Sequence, residues 1–113
     1  MNNLFQTYTF NNGVEVKNRL VVAPMTHWAS DEEGHITDVE RSFLKDRAQN
    51  FGMFITAATL VSPEGKAFAG EPFAVDSNDL PSLKEVAEII HAQGAKAVLQ
   101  IHHGGKLAPN DLL

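Results

Sequence analysis

The sequence predicts an α/β fold in which three buried strands alternate with two amphipathic helices. Short apolar runs that end at turn residues are typical of strands buried on both faces of a parallel sheet, and three such runs occur along the chain. Helix-capping patterns lie between them. After an N-terminal hairpin the predicted order is therefore β-α-β-α-β, which favours a parallel sheet with right-handed crossovers.

The hairpin and the first strand come first along the chain. Asn12 and Gly13 separate residues 8–10 (YTF) from residues 14–16 (VEV), and Asn-Gly indicates a two-residue hairpin turn with both residues at positive φ. Residues 20–23 (LVVA) then form a continuous apolar run. We predict a buried strand there, closed by the proline that follows it.

The first helix and the second strand follow a polar loop. Thr37 and Glu40 have the spacing of a capping box, so a helix is predicted from Thr37 to about Asn50. Residues 53–58 (MFITAA) are the second predicted strand. A loop rich in Pro, Gly, Asp and Asn then extends from about Ser62 to Pro81; connections of that length are often functional.

The second helix has the clearest pattern in the chain. Ser82 and Glu85 repeat the capping-box spacing, apolar residues stand at positions 83, 86, 87 and 90, and Gly94 marks the end of the helix. Residues 96–101 (KAVLQI) form the third predicted strand. Three parallel strands with helices on one face leave the other face uncovered. The sequence therefore predicts the opening part of a larger α/β protein, either a doubly wound sheet or a (β/α)8 barrel.

Composition excludes several classes of function. The net charge is -5 and the nine Lys and Arg residues are scattered, so we expect no nucleic-acid partner. The chain has no cysteine, which excludes a disulfide, a thiolate nucleophile and a Cys-ligated metal. Neither a signal-peptide pattern nor an apolar run of about 20 residues is present. We expect a cytoplasmic protein without a membrane partner.

Candidate functional residues lie where the predicted strands end, because ligands of α/β proteins bind at the carboxyl ends of the strands. They are residues 24–28 (PMTHW), 57–59 (AAT) and 100–106 (QIHHGGK). No glycine-rich phosphate loop follows any strand. A side-chain amide such as Gln100 and a hydroxyl such as Thr26 both donate and accept hydrogen bonds, and small residues such as Ala58 allow close approach to the backbone. These residue types suit a planar polar heterocycle.

The histidines of this sequence are given other roles. His102 and His103 are adjacent at a strand end, so their side chains point to opposite sides, and no carboxylate stands nearby in sequence. We therefore predict no metal site. His27, His35 and His91 are expected at the surface, whereas Glu40 and Glu85 are assigned to helix caps and faces.

Four stretches at these positions resemble the old yellow enzyme family of FMN-dependent oxidoreductases, also called NADH:flavin oxidoreductases or ene-reductases. They are residues 17–26 (KNRLVVAPMT), 56–65 (TAATLVSPEG), 91–96 (HAQGAK) and 100–106 (QIHHGGK). Two departures are visible. The family usually has Gln-Leu-x-His-Ala-Gly-Arg where residues 100–106 stand, and an acidic residue is common at the position of Ala57.

The resemblance implies a (β/α)8 TIM barrel with FMN across its mouth. Residues 1–113 would be the first part of a single FMN-binding domain, with residues 1–18 as a hairpin cap at the bottom of the barrel and residues 19–113 as the first three strands and two helices. The cofactor-binding residues implied in this sequence are Pro24, Met25, Thr26, Ala58 and Gln100. Thr26 would also tune the reduction of the flavin near its C4 carbonyl, Gln100 would hold the pyrimidine edge, and Trp28 would line the substrate pocket.

The activity implied by the resemblance is hydride transfer from NAD(P)H, through N5 of FMN, to an activated alkene or another small-molecule acceptor. His103 corresponds to the positional histidine of the motif, and His102 fills a variable position. The pair that binds the substrate carbonyl and the basic residues that bind the FMN phosphate come from later strands in relatives. We therefore expect the remaining barrel strands to be required for activity.

Alternatives stay open at the level of the sequence. The chain could be a catalytically inactive barrel fragment that at most binds flavin weakly, or part of another (β/α)8 enzyme of related ancestry. Trp28 could pack in the core, Gln100 could satisfy a neighbouring backbone group, and Thr26 could simply end a strand. The physiological acceptor, the choice between NADH and NADPH and the oligomeric state are not determined by the sequence.

Overall fold

A computed structural model describes residues 2–112 of the chain. In chain order, its strands and α-helices are β1 (Tyr8–Thr9), β2 (Glu15–Val16), β3 (Val21–Val22), α1 (Asp38–Leu44), β4 (Met53–Ile55), β5 (Thr59–Leu60), α2 (Leu80–Ala92), β6 (Lys96–Val98) and β7 (Ile101–His102). Short 3-10 turns occupy Asn2–Phe5, Pro63–Gly65, Ser77–Asp79, Gly105–Leu107 and Asn110–Leu112. The predicted α/β class is confirmed.

The central sheet is parallel, with the strand order β3-β4-β6. Val22, Phe54 and Ala97 stand side by side in its register. Both helices pack on the face that these three side chains share, where Leu44 of α1 and Ile90 of α2 are buried against Val22 and Phe54. The β-α-β-α-β order and the parallel pairing therefore follow the prediction, and the core lies between the sheet and the helices.

No helix of residues 2–112 covers the opposite face of the sheet. Val21 and Val98 are 47% and 37% exposed, although both are large apolar residues within strands. In a closed (β/α)8 barrel this face lines the interior and packs in layers of side chains from alternate strands. The β1–β2 hairpin lies beside this same face. Tyr8 and Phe10 of the hairpin segment line an apolar cleft together with Val21 and Met53 of the sheet.

The hairpin turn differs from the prediction. Gly13 has a φ of +89°, but Asn12 is not at positive φ. Phe10 N–H donates to Val14 O at 2.8 Å, and Gly13 N–H donates to Phe10 O at 2.9 Å. The turn is therefore wider than two residues and needs only one left-handed position, which the glycine supplies.

Helix α1 begins as predicted and ends earlier. Its capping box joins Thr37 and Glu40 in both directions. The predicted end at about Asn50 is wrong, because Lys45 leaves the helical conformation and Asp46 has a φ of +67°. The side chain of Gln93 compensates, since its Oε1 accepts from Ala48 N–H at 2.7 Å and its Nε2 donates to Leu44 O at 2.9 Å.

Helix α2 begins two residues before the predicted cap. The capping box there joins Asp76 and Asp79 on a 3-10 turn that continues directly into the helix, with Pro81 in the first turn. Proline is favoured at that position because its N–H is not needed. The predicted cap at Ser82 is wrong, and its hydroxyl instead accepts from Ile36 N–H at 2.8 Å.

The second predicted strand ends early, at Ile55, and β5 lies beyond its predicted end, whereas the third predicted strand is divided into β6 and β7. Thr56 N–H donates to Val98 O at 2.9 Å, but Gln100 N–H then donates to the side-chain Oγ1 of Thr56 at 3.0 Å. Because a side-chain hydroxyl takes the place of a backbone carbonyl here, the ladder of backbone hydrogen bonds between the two strands stops. It resumes where Thr59 N–H donates to Gln100 O at 3.0 Å. The strands β5 and β7 continue the parallel pairing beyond this break.

The long connection from Ser62 to Pro81 is ordered by its own contacts rather than structureless. Leu60 forms a parallel bridge with Phe73, and two 3-10 turns lie within the connection. Among the helices of residues 2–112, none combines the length and the apolar character that crossing a membrane requires.

Candidate functional site

The residues predicted at the three strand ends meet at one edge of the sheet. Because β3, β4 and β6 are parallel and adjacent, their carboxyl ends share that edge. The segment from Pro24 to Trp28 follows β3, Ala57 and Ala58 follow β4, and Gln100 follows β6. Every residue to which a cofactor role was assigned therefore follows a strand at this edge.

This edge carries polar groups that the protein leaves free. The backbone N–H groups of Met25, Thr26 and Ala58 donate to no atom within residues 2–112, and neither the hydroxyl of Thr26 nor the side-chain amide of Gln100 bonds to a protein atom in that range. Met25 and Thr26 are exposed and Ala58 is half-buried, so these N–H groups are open to water or to a ligand. The pyrimidine edge of an isoalloxazine alternates carbonyl and nitrogen groups, so these donors fit FMN.

Gln100 is held in place by its backbone. Its N–H is bonded to Thr56 Oγ1 and its carbonyl to Thr59 N–H, both at 3.0 Å. Thr59 is 1% exposed and Thr56 is 8% exposed, so these anchors lie in the interior. The interruption of the ladder therefore fixes Gln100 while its side chain stays free for a ligand.

Trp28 is exposed beside this edge. It is 69% exposed, which excludes the alternative that it packs in the core. It has a φ of +51°, a strained value for a bulky residue. Its ring lies 6.1 Å from the ring of Phe68, which in turn lies 6.4 Å from the ring of His102. Phe68 is therefore adjacent to both Trp28 and His102.

His103 joins two loops. Its Nδ1 accepts from Gly105 N–H at 2.9 Å, and its ring covers Gly65 so closely that a β-carbon there would lie 2.4 Å from the ring. Gly104 N–H donates to Gly65 O at 2.7 Å. Nearby, the Ser62 hydroxyl donates to the Glu64 carboxylate and lowers the pKa of Glu64 below its ordinary value.

Sequence reasoning missed three buried carboxylate–histidine contacts: that of Asp79 with His35, and two beside the strand ends of the candidate site. His102 Nδ1 lies 2.8 Å from Oε1 of Glu71, which is fully buried. His27, expected at the surface, has a side chain only 12% exposed and lies 3.0 Å from Glu40 Oε2. Both contacts join residues that are distant in sequence, so no local spacing could have indicated them. Within residues 2–112, no three metal-ligating side chains come together around a possible ion.

Comparison with known proteins identifies the family. The model of the NADH:flavin oxidoreductase / NADH oxidase family matches residues 3–113. The chain belongs to this family. A protein named "Probable NADH-dependent flavin oxidoreductase YqiG", from Bacillus subtilis (strain 168), is 50% identical over 110 residues, which are 97% of this chain and 30% of that relative.

Solved structures agree with the family. The old yellow enzyme from Pichia sp. AKU4542 superposes with a TM-score of 0.83 at 29% identity, over 94% of this chain and 28% of that one. Morphinone reductase, solved in complex with tetrahydroNAD, has a TM-score of 0.81 at 24% identity over the same shares. The resemblance to old yellow enzymes is thereby confirmed, and the fold is part of their (β/α)8 barrel. FMN with a nicotinamide reductant is confirmed as the cofactor set of the family. The chain spans less than a third of the length of these relatives.

Proposed function

We propose that this chain supplies the first part of the FMN site of an NAD(P)H-dependent oxidoreductase of old yellow enzyme type, acting on an activated alkene or another small-molecule acceptor. One observation carries the proposal: three separate strand ends at one edge of the parallel sheet each offer a donor that has no partner within residues 2–112. FMN, when bound, supplies the hydride-transfer chemistry, while the protein supplies binding, orientation and electrostatics.

Each residue at this edge has a proposed part. Pro24, Met25 and Ala58 contact the isoalloxazine through their backbone, and the amide of Gln100 holds its pyrimidine edge. The Thr26 hydroxyl donates a hydrogen bond near the C4 carbonyl. A donor at that position stabilises negative charge on the ring, and Thr26 is therefore the catalytic residue that we assign within this chain. Trp28 forms a wall of the acceptor pocket.

The domain organisation is proposed on the same basis. Residues 1–18 form a hairpin cap at the bottom of the barrel, and residues 19–113 form its first strands and helices. The apolar cleft shared by Tyr8, Phe10 and Val21 supports this placement of the hairpin. The exposed inner face of the sheet, with Val21 and Val98, supports a requirement for the remaining strands.

The alternative is that the 113-residue chain alone is an inactive barrel fragment. The two statements are compatible, because one concerns the site and the other concerns this polypeptide. The acceptor-binding pair and the phosphate-binding residues of relatives are expected from later strands. A flavin bound only along one edge would leave its acceptor face open to water.

We expect no NAD(P)H-driven alkene reduction by the isolated chain. The purified chain, saturated with FMN, is mixed with NADH or NADPH and 2-cyclohexenone, and both nicotinamide oxidation and alkene loss are followed. The matched control is the same concentration of free FMN without protein. Equal rates support a requirement for the rest of the barrel. Turnover clearly above the control, and reduced by Thr26→Val, would show that the first three strands already form an active site.

A further inference from the structure

The buried acidic residues of this chain each lie beside a histidine. Within residues 2–112 three acidic residues are buried, Glu40 at 3%, Glu71 at 0% and Asp79 at 4% exposed. Each lies within 3.1 Å of a histidine ring nitrogen, and no lysine or arginine in that range forms an ion pair with any of them. Two of these contacts, His102 with Glu71 and His35 with Asp79, have hydrogen-bond geometry, whereas His27 and Glu40 are in close contact without it.

Burying a carboxylate costs free energy unless a partner and further hydrogen bonds compensate for the lost hydration. A carboxylate beside an imidazole also selects the proton position, because an unprotonated nitrogen would place its lone pair against the carboxylate oxygen. The histidine ring is then fixed in both tautomer and direction. A buried acid of this kind orients the backbone that carries the histidine.

Glu40 holds the segment after β3. Its two oxygens accept from the Ser30 hydroxyl at 2.9 and 3.0 Å, and Oε1 accepts from Thr37 N–H at 3.2 Å. Oε2 lies 3.0 Å from His27 Nδ1, which is buried and has no hydrogen-bond partner of good geometry. The ring of His27 also packs on Phe43 of α1, with centroids 5.3 Å apart. One carboxylate thus fixes both ends of the stretch that contains Trp28.

Glu71 holds the segment after β6. Its Oε1 lies 2.8 Å from His102 Nδ1, and its Oε2 accepts from Ala67 N–H at 2.9 Å. His102 stands two residues after Gln100, and its ring faces that of Phe68. The long connection is therefore tied directly to the strand end that carries the Gln100 amide.

Asp79 forms the same kind of pair away from the flavin-contacting residues. Its Oδ1 lies 3.1 Å from His35 Nε2, and its Oδ2 accepts from Val75 N–H at 2.8 Å and Asp76 N–H at 3.2 Å. This pair joins the loop before α1 to the turn before α2. It is a natural matched control.

We propose that Glu40 and Glu71 are positioning residues of the flavin site, which hold Thr26 and Gln100 in place through His27 and His102. The expected loss of FMN affinity rests on the proposed function. The positioning of the two strand ends by these glutamates does not depend on FMN. Removing either charge frees one histidine and displaces the adjacent strand end, whereas the helices and the sheet stay intact.

Three isosteric variants test this: Glu40→Gln, Glu71→Gln and Asp79→Asn. Glutamine at position 40 can still close the capping box, so α1 keeps its start. Each variant is examined by urea unfolding, by nitrogen-15 NMR of the histidine rings and backbone amides, and by FMN titration. We expect Glu71→Gln to move the proton of His102 from Nδ1 to Nε2, because one amide oxygen cannot accept from both Ala67 N–H and the ring.

The expected pattern separates positioning from general stability. Glu40→Gln shifts the amide signals of Thr26 and Trp28, Glu71→Gln shifts that of Gln100, and Asp79→Asn shifts none of these. FMN binding weakens about five- to tenfold in the first two variants, the size of one lost hydrogen bond, and stays within twofold in the third.

Two results would overturn the proposal: wild-type amide signals at Thr26, Trp28 and Gln100 in the first two variants, or equal shifts in Asp79→Asn. If the wild-type chain binds no FMN, the proposed flavin site of this chain fails, and the NMR pattern alone decides whether the two glutamates position it.

Discussion

Replacing Gly70 with alanine is expected to destabilise the chain by about 3 kcal/mol or more and to displace Trp28. Gly70 has a φ of +78°, and a β-carbon there would lie 2.4 Å from Trp28 O and 2.5 Å from Trp28 C. These are backbone atoms, so no side-chain rotation relieves the overlap, and left-handed strain adds about 1–2 kcal/mol. Ser30 N–H also donates to Gly70 O at 3.1 Å. The two loops must therefore separate.

Gly13→Ala is the matched control for this variant. Gly13 has a similar φ of +89°, but nothing lies within 4 Å of its added β-carbon. It should cost only the left-handed strain, about 1 kcal/mol. Urea unfolding followed by far-ultraviolet circular dichroism gives both free energies, and the fluorescence of Trp28, the single tryptophan, reports the loop. Equal losses of unfolding free energy in the two variants, or unchanged Trp28 fluorescence in Gly70→Ala, would contradict the contact between Gly70 and the Trp28 backbone.

The second large effect is expected from Phe54→Ala. Phe54 is 3% exposed and lies in the middle strand, packed against both helices through Leu44 and Ile90. Truncating a buried phenylalanine costs about 3–5 kcal/mol, because transfer free energy is lost and a cavity remains. In a small domain with one core this is a large part of the total stability. We expect loss of the cooperative unfolding transition at room temperature.

Val98→Ala tests the other face of the same sheet. Val98 stands opposite Ile55 in the register, on the face without helices, and is 37% exposed. Its truncation should cost less than about 1 kcal/mol. If Val98→Ala also loses its cooperative unfolding transition in urea, something covers the inner face of the isolated chain.

Local patterns predicted the elements that local physics controls. The capping box at Thr37, the apolar spacing of α2 and the order of the three parallel strands all rest on neighbours within a few residues. Two errors have local causes, because Gly13 alone sets the hairpin turn and Asp76 and Asp79 form the capping box before α2. The other errors arose where a distant group decided the outcome. Gln93, far along the chain, stabilises the turn that ends α1 early, and the Thr56 hydroxyl interrupts the pairing of the second and third predicted strands.

The candidate site also has a part that local sequence patterns predict and a part that depends on distant contacts. The strand-end rule places the segment after β3, Ala58 and Gln100 at one edge, because parallel strands have their carboxyl ends there. The buried roles of Glu40 and Glu71 depend on contacts with His27 and His102 across 13 and 31 positions. Sequence reasoning assigned Glu40 to a helix cap, which is correct, but could not show that the same carboxylate is buried against a histidine.

The most direct test of the account is a titration of the 113-residue chain with FMN, followed by flavin fluorescence and visible circular dichroism. If the three strand ends already form a flavin platform, binding is saturable and induces a flavin dichroic signal. Gln100→Leu then weakens binding about three- to tenfold, whereas the exposed control Gln49→Leu leaves it unchanged. An absent signal in a chain that unfolds cooperatively, or equal binding by wild type and Gln100→Leu, would contradict the assignment of this edge as the flavin site.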